Sequence, residues 1–157
     1  MSVAFDIDRS ELDAALAKVV QTATSLPAGM AKAAYALQGL IQNTFRTQSD
    51  PWGAPWPEQA ASTLARKAKL GQGSAREIAT GDMISSLESS SGPDFAQAQM
   101  GDGFEPPYPS FQQFGVPGKL EASPMFPLDS NGMPDFPDHW LQVILQPICD
   151  DFAAQLA

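Results

Sequence analysis

The sequence predicts an α+β fold: two N-terminal helices (one long), a short third helix, an antiparallel β-hairpin or small sheet, an extended proline-rich arm and a C-terminal helix. Three observations carry this. Apolar residues recur at three- and four-residue spacing near both ends of the chain. Side chains alternate with period two over residues 95–100. Residues 116–137 hold five prolines, which no helix accommodates. At 157 residues the chain is expected to form one unit, 1–157, with 116–137 as its arm.

The first helix starts at Ser10, where Ser10 and Asp13 make an S-x-x-D capping signal. Leu12, Ala15, Leu16, Val19, Val20 and Ala23 form its apolar face. Residues 24–29 break the pattern, and Pro27 suits the first turn of the next helix. That helix covers residues 28–47, with a stripe of Met30, Ala33, Ala34, Leu37, Leu40, Ile41, Thr44 and Phe45. Asp50-Pro51 is expected to end it, because a residue before proline is pushed out of the helical region. Residues 49–57, SDPWGAPWP, read as a compact turn anchored by tryptophan. A third helix is expected over residues 58–70, between Pro57 and Gly71.

Over residues 78–100 the pattern suggests a hairpin. Met83 and Leu87 lie on one side of a possible strand, Ser86 and Glu88 on the other. SSGPD turns the chain, and Phe95, Gln97 and Gln99 then alternate with Ala96, Ala98 and Met100. Residues 108–115 fit one or two helical turns. The arm carries Leu120, Met125, Phe126, Leu128, Met133 and Phe136, so it is expected to lie on something rather than in solvent. The last helix starts near Asp138, with Leu141, Ile144, Leu145, Ile148, Phe152 and Leu156 on its buried face and Pro147 inside it. No internal repeat or low-complexity tract is evident.

Composition excludes several functions. Eighteen acids oppose nine bases, for a net charge of −9, which argues against electrostatic DNA binding and against docking on an anionic membrane. One cysteine, Cys149, and one histidine, His139, leave no intramolecular disulfide and no Cys- or His-rich metal site. No apolar run approaches a membrane span and the N-terminus lacks signal-peptide character, so a soluble intracellular product is expected. Charged residues are only 17%, against the usual ~25%, which leaves surface that awaits a partner.

Catalytic signals are almost absent. His139 stands at a helix start with no nucleophile motif near it, and Cys149 is expected to be buried and inert. Gly71-Gln72-Gly73 lacks the strand and Lys-Ser/Thr of a phosphate loop. Asp6 and Asp8 lack a third metal ligand. Asp50, beside Trp52 and Trp56, suits a turn better than a sugar-cleaving acid, which needs a second placed carboxylate. No catalytic residue, cofactor or metal is expected. One charge pattern is less ordinary. Arg66, Lys67, Lys69 and Arg76 gather four of the nine cations, while Asp135, Asp138, Asp150 and Asp151 lie elsewhere. This is either a solvated helix face or a subunit contact, in which Arg66, Lys67, Lys69 and Arg76 of one copy meet Asp150 and Asp151 of the next.

Four blocks then resemble the virion morphogenesis (tail completion) family of tailed phages, including Mu-like phages. Residues 45–67 read F-x-x-x-x-D-P-x-G-x-x-W-P followed by S-T-x-x-x-K, which includes Asp50, Pro51, Gly53, Trp56, Thr63 and Lys67. Residues 78–87 resemble the family's apolar-x-T-G-x-L-x-x-S stretch, with Gly81 at its turn. Residues 108–115, YPSFQQFG, resemble its Q-F-G block, with Phe114 and Gly115, and residues 124–128 its R-P-F-L block, with Pro124 and Phe126. The chain departs from the family pattern in three places: the His is Gln112 here, the Arg is Ser123, and the usual leucine is displaced by Met125 and Pro127.

The resemblance implies a non-enzymatic structural protein of the phage neck, made in the host cytoplasm. It would complete or terminate the tail and join it to the DNA-filled head as a ring of about six copies. Its partners would be itself, the tail tube protein and the head–tail connector, with DNA passing through the lumen without sequence-specific binding, and no membrane. Two other classes stay open: an acidic regulatory or binding module that sequesters a basic partner, and an enzyme built on Asp50 and the tryptophans.

Overall fold

A computed structural model of the chain describes residues 10–74, 81–101 and 108–157. It has the expected α+β composition. The order is α1 (Ser10–Ala23), α2 (Pro27–Thr47), α3 (Ala61–Lys69), α4 (Asp82–Ser85), β1 (Glu88–Ser91), β2 (Ala96–Gln99), α5 (Tyr108–Phe114) and α6 (Asp138–Leu156).

Helix α2 is the spine. Pro27 occupies its first turn, where a missing N–H costs nothing. Its buried residues Ala33, Ala34, Leu37, Ile41, Thr44 and Phe45 follow the three/four spacing of one helix face. The helix ends at Thr47, before Asp50-Pro51 can act. Gln48 takes the left-handed conformation (φ 55°) and its amide closes on the Thr44 carbonyl. The Gln48 side chain in turn donates to the Phe45 carbonyl at 2.7 Å.

Helix α6 lies along α2 and is its main partner. They come close at Gly29, where an added Cβ would stand 2.9 Å from the Ile148 Cα and 3.0 Å from the Pro147 carbonyl oxygen. Buried Ala33 and Ala34 keep the same side of α2 shallow. Ile144 and Ile148 lie on the inner side of α6 as the stripe requires, and Trp140, outside that stripe, is the buried residue of the helix, but Leu145 is 48% exposed. Cys149 is exposed rather than buried, because it falls one position past Ile148 and points off the stripe.

The hairpin packs on α2. Glu88 pairs with Gln99, Ser89 with Ala98, Ser90 with Gln97 and Ser91 with Ala96. Ala96, Ala98 and Met100 are half-buried while Phe95, Gln97 and Gln99 are exposed, as the alternation required. Gln38 of α2 fixes the sheet, donating to the Leu87 carbonyl at 2.9 Å and accepting from the Ser89 hydroxyl at 2.8 Å. The first strand is shorter than expected. Gly81, at φ 86°, opens the single turn α4, which takes up Met83 and leaves β1 to begin at Glu88. Helix α3 likewise starts at Ala61, three residues after Glu58. It ends as expected, with Gly71 left-handed and the Gln72 and Gly71 amides closing on the Lys67 and Ala68 carbonyls.

Leu37, Ile41, Phe45, Trp56, Leu87, Met125 and Trp140 form one buried cluster, with Phe126, Phe136 and Ile144 at its margin. Phe45 and Trp56 meet edge to face at 5.5 Å, a geometry worth about 0.5–1.5 kcal/mol beyond burial. Met125 belongs to the arm and is fully buried, so the arm lies on the chain's own core.

Candidate functional site

The four motif blocks converge on the arm. Trp56 of the first block donates its indole N–H to the Pro124 carbonyl at 2.8 Å. Leu87, which closes the second block, joins Trp56 in the core. From the third block, Gln113 is buried in α5 and clamps the fourth. Its amide oxygen accepts from the Met125 and Phe126 amides, both at 2.9 Å, and its NH₂ donates to the Phe126 carbonyl at 2.9 Å. One side chain thus replaces a strand partner for two arm residues. Gly115, at φ 73°, sits where a Cβ would meet the Leu120 carbonyl oxygen at 2.8 Å and the Ala122 amide nitrogen at 2.9 Å. Only glycine lets the chain turn back on itself there.

Two loops in this framework share one geometry. Residues 50–55 and 129–134 both read D-x-x-G-x-P. In the first, the Asp50 carboxylate accepts from the Trp52 amide at 2.9 Å and the Ala54 amide at 2.8 Å. In the second, the Asp129 carboxylate accepts from the Asn131 and Met133 amides, each at 2.8 Å. Each aspartate amide donates to the carbonyl four residues on (Ala54, Met133), and each glycine (φ 92° at Gly53, 78° at Gly132) donates back to the aspartate carbonyl. Each loop is closed by a bridge to its proline, Ser49 to Pro55 and Leu128 to Pro134. Amides of Met133 and then Asn131 hold the Asp129 carboxyl below the usual carboxylate range. A six-residue recurrence therefore exists within a chain that shows no longer repeat. Asp50 Oδ1 thus organises the backbone of this loop.

The expected contact residues are dispersed. Arg66 and Lys69 of α3 are exposed, Lys67 is buried, and Arg76 lies outside the described residues. Asp150 is exposed and accepts from the Gln146 side chain at 2.8 Å. Asp151 turns inward, accepting from the Gly29 amide at 2.7 Å. Leu26, the residue before α2, offers no capping side chain, so α6 supplies the acceptor that the first turn of α2 lacks. The Gly29 amide first, then the Gln155 side chain and, more weakly, Lys32, hold the Asp151 carboxyl below the usual range. Of the remaining motif residues, Pro51 is buried, Thr63 is half-buried in α3, Phe126 packs at the core margin, and Phe114 is exposed. Gln112 and Ser123, which stand where the family has His and Arg, are neighbours: the Ser123 amide donates to the Gln112 carbonyl at 2.7 Å. Gln112 Oε1 and Ser123 Oγ are both buried without a hydrogen-bond partner among the described residues.

Several large apolar side chains are exposed as well. Leu16, Val20, Tyr35, Leu70, Tyr108, Phe114 and Met133 are each more than half exposed. An open cleft of about 400 Å³ lies between the first loop and α3, lined by Gln48, Trp56, Pro57, Glu58, Gln59, Leu64 and Ser74. Among the described residues, no three His, Cys, Asp or Glu side chains gather into a metal site, and no helix is long and apolar enough to cross a membrane.

An α+β unit whose motif residues clamp its own arm and whose surface is rich in apolar side chains has the character of an assembly protein. A family model of phage virion morphogenesis proteins matches residues 7–134, and the chain belongs to that family. No curated protein and no solved structure matches it. Its role lies in building a phage particle.

Proposed function

We propose that this chain is a structural protein of the phage neck. It completes or terminates the tail and joins it to the DNA-filled head, as a ring of about six copies around the DNA channel. The observation that carries the reading is family membership over residues 7–134. Two physical features support it. A net charge of −9 keeps phosphates from sticking to a passage through which DNA slides. The exposed apolar side chains suit a chain that is covered by neighbours: further copies of itself, the tail tube protein below and the connector above. On this reading the protein performs no turnover and needs no cofactor.

Immunogold electron microscopy of purified virions tests the position. Label at the head–tail junction is the expected result. Label along the tail shaft, on the capsid, or on no particle at all would overturn the neck assignment.

A further inference from the structure

Helix α1 contributes almost nothing to the core. Every side chain from Asp13 to Gln21 is exposed, and Thr22 is the buried one among those described. Leu16, Val19 and Val20, the apolar residues that would pin an amphipathic helix to its chain, all face solvent. Helix α2 differs: it buries Ala33, Ala34, Leu37, Ile41, Thr44 and Phe45. Helix α1 packs on α6, where the Lys18 ammonium donates to the Leu156 carbonyl at 3.3 Å. That bond is long and exposed, so water competes with it. A helix of 14 residues is marginal in water without packing, and this one receives little.

The start of α2 is secured without it. Leu26 is buried, and its amide donates to the Pro93 carbonyl in the hairpin turn at 2.7 Å. The Met30 amide returns to the Leu26 carbonyl at 2.9 Å, and Asp151 of α6 holds the Gly29 amide at 2.7 Å. Before Leu26 the described backbone bonds are local. The Thr24 amide reaches the Val20 and Gln21 carbonyls, and the Ser25 amide reaches the Thr22 carbonyl. Thr24 and Ser25 are exposed. They form a two-residue joint between a helix bonded to itself and a body whose anchors begin at Leu26.

We propose that α1 is a separately opening arm: it leaves α6 and unwinds from Thr24 while α2, the hairpin and α6 stay folded. Opening uncovers little new apolar surface, because Leu16, Val19 and Val20 face water while the helix is docked. Few buried contacts and solvent-exposed bonds are the physical marks of a unit that opens on its own, below the stability of the whole. The chain then meets its neighbours in a particle as a folded body with a movable helix. The property belongs to the single chain and does not depend on where in the particle it sits.

Amide hydrogen exchange on the purified full-length chain tests this. Two chain concentrations are compared and the lower one decides, so that cover by a neighbouring copy is not mistaken for docking on α6. Amides of residues 14–23 should exchange within about a hundredfold of the free-chain rate, as a marginal helix does. Those of residues 33–45 in α2 should be slower by a further factor of about a thousand or more, because they open with the whole fold. Equal protection in the two helices overturns the proposal. A second variant separates local from global opening. Ala15→Gly with Ala17→Gly changes two exposed positions of α1 and weakens that helix alone. Exchange of residues 14–23 should rise to the free-chain rate, while α2 exchange and the melting temperature stay at wild type. A fall of about 4–8 °C in melting temperature, the effect of two such glycines in a helix that unfolds with the body, refutes the separate arm.

Discussion

Two glycines in one helix should respond to the same substitution with opposite sign. Gly29 and Gly39 both lie in α2. Alanine is the better helix former by about 0.8–1 kcal/mol in a helix interior, and less in the first turn. At Gly39 a Cβ meets nothing within 4 Å, so only this gain operates. Gly39→Ala should stabilise by about 0.5–1 kcal/mol, or about 1–4 °C in Tm for a chain of this size. At Gly29 the Cβ meets Ile148 Cα at 2.9 Å, with Pro147 O and Asp151 Cβ at 3.0 Å. Two of these are backbone atoms that no rotamer change can move. The helices must part by several tenths of an ångström, which lengthens the Gly29–Asp151 hydrogen bond and loosens this approach of α6 to α2. Overpacking costs about 1–3 kcal/mol. Set against the propensity gain, Gly29→Ala should destabilise by about 1–2 kcal/mol, a fall of about 2–8 °C. Thermal melts followed by circular dichroism at one fixed protein concentration decide it, since assembly makes Tm concentration-dependent. A Gly29→Ala protein as stable as wild type would refute the close α2–α6 contact.

Other perturbations follow from single side chains. Gln113→Ala orphans three backbone groups of the arm and should cost about 3–5 kcal/mol in urea unfolding; a loss below 1 kcal/mol would deny the clamp. Ser123→Ala removes a buried hydroxyl without a partner, so stability should hold or rise by up to about 1 kcal/mol, and a clear loss would mean the hydroxyl is satisfied. The Asp151 carboxyl titrates below its ordinary range in the folded chain, so its contribution is complete above the unfolded pKa and is lost as pH falls through the lower, folded value. Asp151→Asn should therefore flatten the acid limb of the stability–pH profile; an unchanged limb would show that the Gly29 contact is not charge-dependent.

Where structure follows from a repeated local rule, the sequence revealed it. The α2 stripe, the Ala96–Ala98–Met100 alternation and the Gly71 helix stop were all legible, because period and glycine conformation are local properties. Helix α3 begins late for a non-local reason. The Trp56 amide is held to the Gln48 carbonyl at 2.8 Å and its indole to Pro124, which keeps the chain extended past Pro57. The proline-rich arm was readable as extended, but not what clamps it: a lone glutamine such as Gln113 carries no pattern. Asp151 was read as a surface acid because its partner, the Gly29 amide, lies 122 residues away. Helix α1 is the instructive case. Its amphipathic pattern was correct and its burial was not, since a periodicity states that a face needs cover without saying which chain provides it. The twin D-x-x-G-x-P loops were visible as letters, yet only their matching hydrogen bonds show them to be one structure used twice.

The role proposed for the chain is to complete the tail and join it to the head. The most direct measurement is negative-stain electron microscopy of a lysate from phage whose copy of this gene is interrupted. Filled heads beside separate tails are expected, with overlong tails among them if the chain also stops tail growth. Intact, infectious particles in that lysate would contradict the account.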